Sequence, residues 1–308
     1  MKWTIYRSTV RDPLAGLRLD QYLAEAHAGM SRSLAKKIVD LGGVHVNGRR
    51  VRSCSMLVQP DDKVEVYIDH LPLEPFRLSP EVILYQDQYL IILNKPAMIE
   101  TQPTHARYKG TLFEALNWYL RDPGYPHRKV EVGMIQRLDR GTSGVLAFSI
   151  HPRAHKQMSH IFKSHEVTKS YLAVVHDAPQ ASEGEIKSNL ARSRRENRVK
   201  SVVAGGKEAI TRFRVVEKLA ACTLLKIDLI TGRSHQIRAH MSELGCPLLG
   251  DRLYGGSDRI ANLPIQRPLL HSSELGFAHP VKGNALMFSA PLPPDMATVI
   301  CRLKETEQ

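Results

Sequence analysis

The chain has 308 residues, 43% of them hydrophobic, and carries 43 Lys+Arg against 31 Asp+Glu, a formal net charge of +12. That length predicts two domains, or three if one is small, and the apolar fraction excludes wholesale disorder. No apolar run approaches the ~18 residues of a membrane span. Met1–Arg7 lacks the apolar core of a signal peptide, and Cys54, Cys222, Cys246 and Cys301 stand far apart with no Cys-x-x-Cys pair. No disulfide framework or structural zinc is therefore expected, and the location expected is the cytoplasm. The charge excess favours a polyanionic partner, nucleic acid before an anionic membrane surface.

Residues 1–16 read as an N-terminal extension, and residues 17–69 as a small module. Leu19, Leu23 and Ala26 recur at helical spacing before Gly29. Ser31 can cap a second helix with Leu34, Ile38 and Leu41 inward, stopped at Gly42-Gly43. Asn47-Gly48 signals a type I′ hairpin, and Val64, Val66 and Ile68 alternate as in a strand. Arg32, Lys36 and Lys37 fall off the apolar stripe of the second helix, and the hairpin adds Arg49, Arg50 and Arg52. Six cations with one acid, Asp40, read as a phosphate-binding face. The arrangement resembles the RNA-binding module typified by ribosomal small-subunit protein S-four.

Residues 70–80 carry three prolines and read as a linker, leaving residues 81–308 as one domain. It opens with a hairpin, Val82–Tyr85 and Leu90–Leu93. Thr111-x-x-Glu114 then forms a capping box for a helix with Leu112, Leu116 and Leu120 inward. A Pro-, Gly- and His-rich loop covers 122–128. Apolar runs 132–135 and 145–150 flank a polar Gly-bearing segment. A helix is expected over 152–163, strands near 167–175, 209–216 and 222–230, and a helix with Ile237, Met241 and Leu244 inward before Gly245. More strands than helices, with mixed connections, predict an α+β domain on a mostly antiparallel mixed sheet with flanking helices, preceded by the helix–helix–hairpin module.

The most informative stretch is Arg137-Leu138-Asp139-Arg140-Gly141-Thr142-Ser143-Gly144. A turn between two strands holds Asp139 at the lip of the sheet, with an arginine on each side. A carboxylate so placed suits a nucleophile or base, or a structural Asp satisfying the amides of its own turn. Four further segments follow the same order as in a known family: Asn94-Lys95-Pro96 before this stretch, then Lys169-Ser170-Tyr171, Thr231-Gly232-Arg233-Ser234-His235-Gln236-Ile237-Arg238, and Leu270-His271 with Phe277-Ala278-His279-Pro280. Residues 81–291 thus resemble the RluA-type pseudouridine synthases. Gln136 stands where that family has His or Asn, and Met98–Pro103 departs from its Gly-x-x-Val-His-Pro, a change that bears on substrate choice.

The resemblance implies isomerisation of uridine to pseudouridine in RNA, in a central cleft, with no cofactor and no metal. It implies Asp139 as the catalytic carboxylate, Arg238 as its salt-bridge partner, and Tyr171 packed on the base. Arg137 would fill the space left by a flipped-out uridine, and Arg233 would bind RNA. The implied substrate is large-subunit (23S) ribosomal RNA or its precursor, with transfer RNA as the alternative and a monomer as the working unit. A non-catalytic RNA-binding ribosome-assembly factor is the rival reading, since binding alone needs none of Asp139, Tyr171 and Arg238. A glycosidase would need a second carboxylate near Asp139, and the sequence offers no candidate. The polar run Arg192, Arg194, Arg195, Glu196, Arg198, Lys200 reads as a loop on the RNA face. His151, His155, His160 and His165 lack the carboxylate or cysteine that would complete a zinc site.

Overall fold

The structure is a computed structural model that describes residues 3–121, 123–124, 130–164, 166–193, 198–260 and 263–305. It divides into two compact units, Met1–Leu78 with Ile99–Lys129, and Ser79–Met98 with Val130–Gln308. The first unit holds β1 (Thr4–Thr9), α1 (Leu19–Ala26), α2 (Arg32–Leu41), β2 (Val44–Val46), β3 (Arg49–Val51), β4 (Lys63–Ile68) and α3 (Leu112–Tyr119). Its strands form one antiparallel sheet in the order β1-β4-β2-β3. Leu19, Tyr22 and Leu23 of α1 meet Ala35, Ile38 and Val39 of α2 over Val44, Val46, Val64 and Val66 of the sheet.

Local chemistry accounts for these elements. Ser31 Oγ accepts the Leu34 N–H, and Gly42, at φ 88°, closes α2 in the left-handed conformation that glycine adopts freely. Asn47 and Gly48 both have positive φ, as the tight hairpin requires. Thr111 Oγ1 accepts the Glu114 N–H, while the Glu114 carboxylate reaches back to the Gly110 N–H. Two features were not expected. Residues 4–9, inside the predicted extension, form an edge strand paired along its whole length with β4. The segment Ile99–Lys129 groups with the N-terminal module, through a buried bidentate ion pair, Arg107 to Asp69 at 2.8 and 3.0 Å.

The second unit contains β5 (Ile83–Gln86), β6 (Leu90–Lys95), β7 (Gly133–Met134), β8 (Ser143–Ser149), α4 (Pro152–Lys163), β9 (Thr168–His176), β10 (Glu183–Ser193), β11 (Arg198–Ser201), β12 (Lys207–Leu219), β13 (Cys222–Leu229), α5 (Gln236–Glu243), β14 (Arg259–Ile260), β15 (Leu263–Pro264), β16 (Leu270–Ala278), β17 (Ala285–Ser289) and α6 (Pro294–Glu305). Eleven strands form a mixed sheet with the path β11-β10-β12-β13-β9-β16-β8-β6-β5, β17 pairing with β16 and β7 with β8. Among the described residues only β8 and β16 pair in parallel. The α+β architecture and its mostly antiparallel sheet agree with the sequence. The run at 192–200 does not: Arg192 belongs to β10, and Arg198 and Lys200 belong to β11, two hydrogen-bonded strands rather than a loop. Arg194, Arg195, Glu196 and His165 lie outside the described residues, as do 122 and 125–128 of the predicted loop. Leu244, expected inward, is exposed at the end of α5.

Candidate active site

Strands β9, β13 and β16 contribute Tyr171, Leu229 and Leu270 to the lining of an open cleft. Its lining brings together three distant stretches of the sequence: Arg137, Leu138 and Asp139; Tyr171; and Arg233, His235 and Arg238.

Asp139 sits in the loop between β7 and β8, and buried groups hold that loop. Lys95, fully buried at the end of β6, points its ammonium into a cage of carbonyls: Thr142 at 2.8 Å, Pro96 at 3.0 Å, Arg140 at 3.3 Å and Asp139 at 3.4 Å. Four main-chain oxygens take the place of water around a buried cation, which would otherwise lose several kcal/mol. Arg267 donates to the Gly141 carbonyl at 3.0 Å, and the Met98 N–H to that of Arg140 at 2.7 Å. Gly144, at φ 109°, lies so close to the Ser272 backbone that no Cβ would fit. The loop therefore enters β8 against β16, with His271 Nδ1 2.9 Å from Ser143 Oγ below it.

α5 supplies the facing side. Arg238 donates from Nη1 to Asp139 Oδ2 at 3.1 Å, and from Nε and Nη2 to the two oxygens of Asp251 at 2.6 and 2.8 Å. Burial alone would lower the pKa of Arg238, but its bonds and proximity to the two carboxylates outweigh that and raise it further. Asp251 is the second carboxylate that the sequence did not reveal. It is buried and held at both oxygens by Arg238, so it offers no face to a substrate. No periodicity or motif signals it; it follows Gly250 in a turn.

His235 Nε2 lies 3.7 Å from Asp139 Oδ2, and its Nδ1 is 3.0 Å from the Tyr254 hydroxyl. Burial pushes its pKa down, which favours the neutral ring. Tyr254 Oη also accepts the Val199 N–H at 2.8 Å. Tyr171, on β9, is buried between Ile227 of β13 and Ser272 of β16. Its pKa is pushed up to about 12, first by burial, with a bond to Ser272 opposing and the charge of Asp139 adding. At neutral pH it presents a neutral phenol.

The other predicted RNA contacts fall into two groups. Arg137 and Arg233 are exposed at this cleft. Arg32, Lys36, Lys37, Arg49, Arg50 and Arg52 all belong to the first unit. There Arg32 and Lys36 reach the buried carboxylate of Asp20 at 2.8 and 3.8 Å, joined by Arg18 at 3.1 Å. Lys37 is exposed, 4.0 Å from Glu74. Arg52 stacks 3.8 Å from the Tyr108 ring centroid, and half-buried Arg50 donates to the Thr104 carbonyl, while Arg49 is exposed. Two of the histidines near α4 have structural partners: His151 caps α4 and His155 bonds Ser149 at 2.7 Å. His279 binds Asp87 at 2.9 Å.

Comparison with known proteins shows the family of the chain. Residues 89–243 match the RNA pseudouridylate synthase family, and residues 17–64 match the S4 domain. The chain is 34% identical to an uncharacterized RNA pseudouridine synthase, YlyB, of Bacillus subtilis, with 94% of each chain covered. It is also 34% identical to the ribosomal large subunit pseudouridine synthase D of Xylella fastidiosa, over 97% of this chain and 92% of the relative. The human RNA pseudouridylate synthase domain containing 4 shares the fold, with a TM-score of 0.60 and 23% identity over 73% of this chain and 93% of that one.

Proposed function

Given that the chain belongs to the RNA pseudouridylate synthase family, whose members isomerise uridine in RNA, we propose that Asp139 performs the first step of that isomerisation, on a uridine of large-subunit ribosomal RNA. The observation that carries the reading is the three-way bridge Asp139–Arg238–Asp251 facing Tyr171 across one cleft. Two first steps are open to the carboxylate, attack on the anomeric carbon or removal of the sugar 2′ proton. Both need it ionised and aimed at the ribose, and Arg238 supplies counter-charge and orientation. The bond from the anomeric carbon to uracil nitrogen breaks, the base turns, and a new bond forms from the anomeric carbon to its carbon 5, whose proton leaves to solvent while the freed nitrogen takes one up. Tyr171 packs on the freed base as a neutral phenol. Arg137, exposed at the rim, takes the place of the extruded base, where a planar guanidinium can stack. Flipping the nucleotide out costs a few kcal/mol, which the RNA contacts offset.

The S4 match and the relatives named ribosomal large subunit pseudouridine synthase D support a ribosomal substrate. The test is Asp139→Asn in the full chain. Carbodiimide labelling and primer extension on ribosomal RNA from cells carrying the variant should show specific pseudouridines missing. RNA affinity should stay within about tenfold of wild type, or ~1.4 kcal/mol. Retained modification in the variant would exclude Asp139. Sites missing from transfer RNA instead would move the substrate there.

A further inference from the structure

We propose that the turn at Gly232 binds a phosphate of the RNA backbone beside the target nucleotide, held by the Lys169 ammonium, the Gly232 N–H and the Arg233 guanidinium. The proposal rests on the reading of the cleft as the uridine site and extends it by one contact.

Three observations converge. The first is Lys169, two residues before Tyr171 on β9 and therefore on the same strand face. It is half-buried, with its ammonium 5.2 Å from the Phe162 ring centroid. No carboxylate lies within ion-pair distance of it among the described residues, and burial lowers its pKa with no charge opposing. A cation withdrawn from water without a counter-ion is unfavourable unless a ligand supplies one.

The second is Gly232 itself. Its backbone lies outside the left-handed region, so its dihedrals do not demand glycine. A Cβ there would meet one group only, the Lys169 ammonium at 3.9 Å. Neither torsion nor packing explains the missing side chain. What glycine leaves is space beside an uncompensated cation, with an N–H that has no acceptor among the described residues. Glycine in such a place lets a backbone approach a ligand.

The third is rigidity. Gln236 Oε1 accepts from Thr231 Oγ1 at 2.9 Å and from the Arg233 N–H at 3.0 Å, while its amide donates to Ile210 and Thr211. Arg233 Nε is fixed on the Glu208 carbonyl at 2.8 Å, and no carboxylate pairs with its exposed guanidinium among the described residues. The turn and Arg233 are thus held in place before any anion arrives, with the Lys169 ammonium beside them, and charge-assisted bonds to a phosphate are the contact they fit.

The experiment measures binding of the full chain to an unmodified large-subunit ribosomal RNA transcript over a KCl series, for Gly232→Ala and Lys169→Met. Gly232→Ala should melt no lower than wild type, because the methyl has room, yet bind RNA about tenfold more weakly, because the methyl occupies the anion's place. Lys169→Met keeps the stem on Phe162 and removes the charge. Its melting temperature should rise, and the slope of log affinity against log salt should shrink by about 0.7, one phosphate contact. Should Lys169→Met not fold, Gly232→Ala decides alone. Affinity within about twofold of wild type and an unchanged slope in the folded variants would overturn the site. So would a marked loss of thermal stability in Gly232→Ala, which would give the glycine a structural cause. Asp139→Asn separates the two proposals. If it is inactive while the turn variants bind normally, only the phosphate site falls. If it is active while the turn variants bind weakly, only the role of Asp139 falls.

Discussion

The two units each contain an arginine–carboxylate cluster, built with opposite polarity. In the first, the Asp20 carboxylate is 0% exposed and its cations face water, Arg32 at 48%. In the second, the Arg238 side chain is 11% exposed and the carboxylate it orients, Asp139, is 32% exposed. On the proposed reading, the buried member of each cluster organises and the exposed member meets the ligand. Exposed cations suit a phosphate backbone, whereas an exposed carboxylate suits the electrophilic carbon or acidic proton of a sugar. The same ion pair is thereby suited to two chemistries, according to which partner the fold covers.

The largest effect should come from Arg238→Lys. An ammonium keeps the charge but cannot present a fork to Asp251 and a third donor to Asp139 at once. Turnover on ribosomal RNA should fall about 100-fold, equivalent to ~2.7 kcal/mol in the barrier, with little change in RNA affinity. Equal losses in affinity and turnover would place Arg238 in binding instead. A full truncation is less informative: it strands Asp251 as a buried charge, at about 3–5 kcal/mol of stability.

Asp20→Asn is the matching change in the first unit. Asparagine fills the same space but no longer holds Arg18 and Arg32 as an anion. The expected cost is about 1–2 kcal/mol of stability, since the cations are half-exposed and water screens them. RNA affinity should drop about fivefold, with a weaker salt dependence and unchanged turnover at saturating RNA. A turnover defect as large as that of Arg238→Lys would break the division of labour between the clusters.

How far the sequence carries this picture depends on how local each signal is. Helix α2 is legible because its cap, apolar stripe and closing glycine lie within a dozen residues, and the hairpin because Asn47-Gly48 admits few other conformations. The strand β1 is not, because residues 4–9, alternately half-buried and exposed, are strand only through pairing with residues 63–68. In the same way Asp139, Tyr171 and Arg238 are marked by ordered motifs, but Asp251 and Tyr254 join Arg238 and His235 through tertiary contacts alone. Lys95 is visible as part of Asn-Lys-Pro. Its work, holding four carbonyls around the Asp139 loop, needs coordinates to see, because main-chain acceptors leave no trace in side-chain identity.

The smallest effect is in pH dependence, and it sharpens the contrast from the side of the buried carboxylate. Burial by itself would raise the pKa of Asp20, but the bonds from Arg32 and Arg18 outweigh it and lower the net value. A carboxylate with a folded pKa below its unfolded value, ~3.9, stabilises fully above that value. The contribution is lost as pH falls through the folded pKa. The stability gap between wild type and Asp20→Asn should therefore be flat from about pH 5 to 8 and close below about pH 4. Taking the difference between the two proteins cancels the buried histidines, which titrate alike in both. Denaturant unfolding across that range checks it. A gap that persists undiminished in acid would mean that Asp20 acts through packing and hydrogen bonding alone, and that its charge does not hold the cations in place.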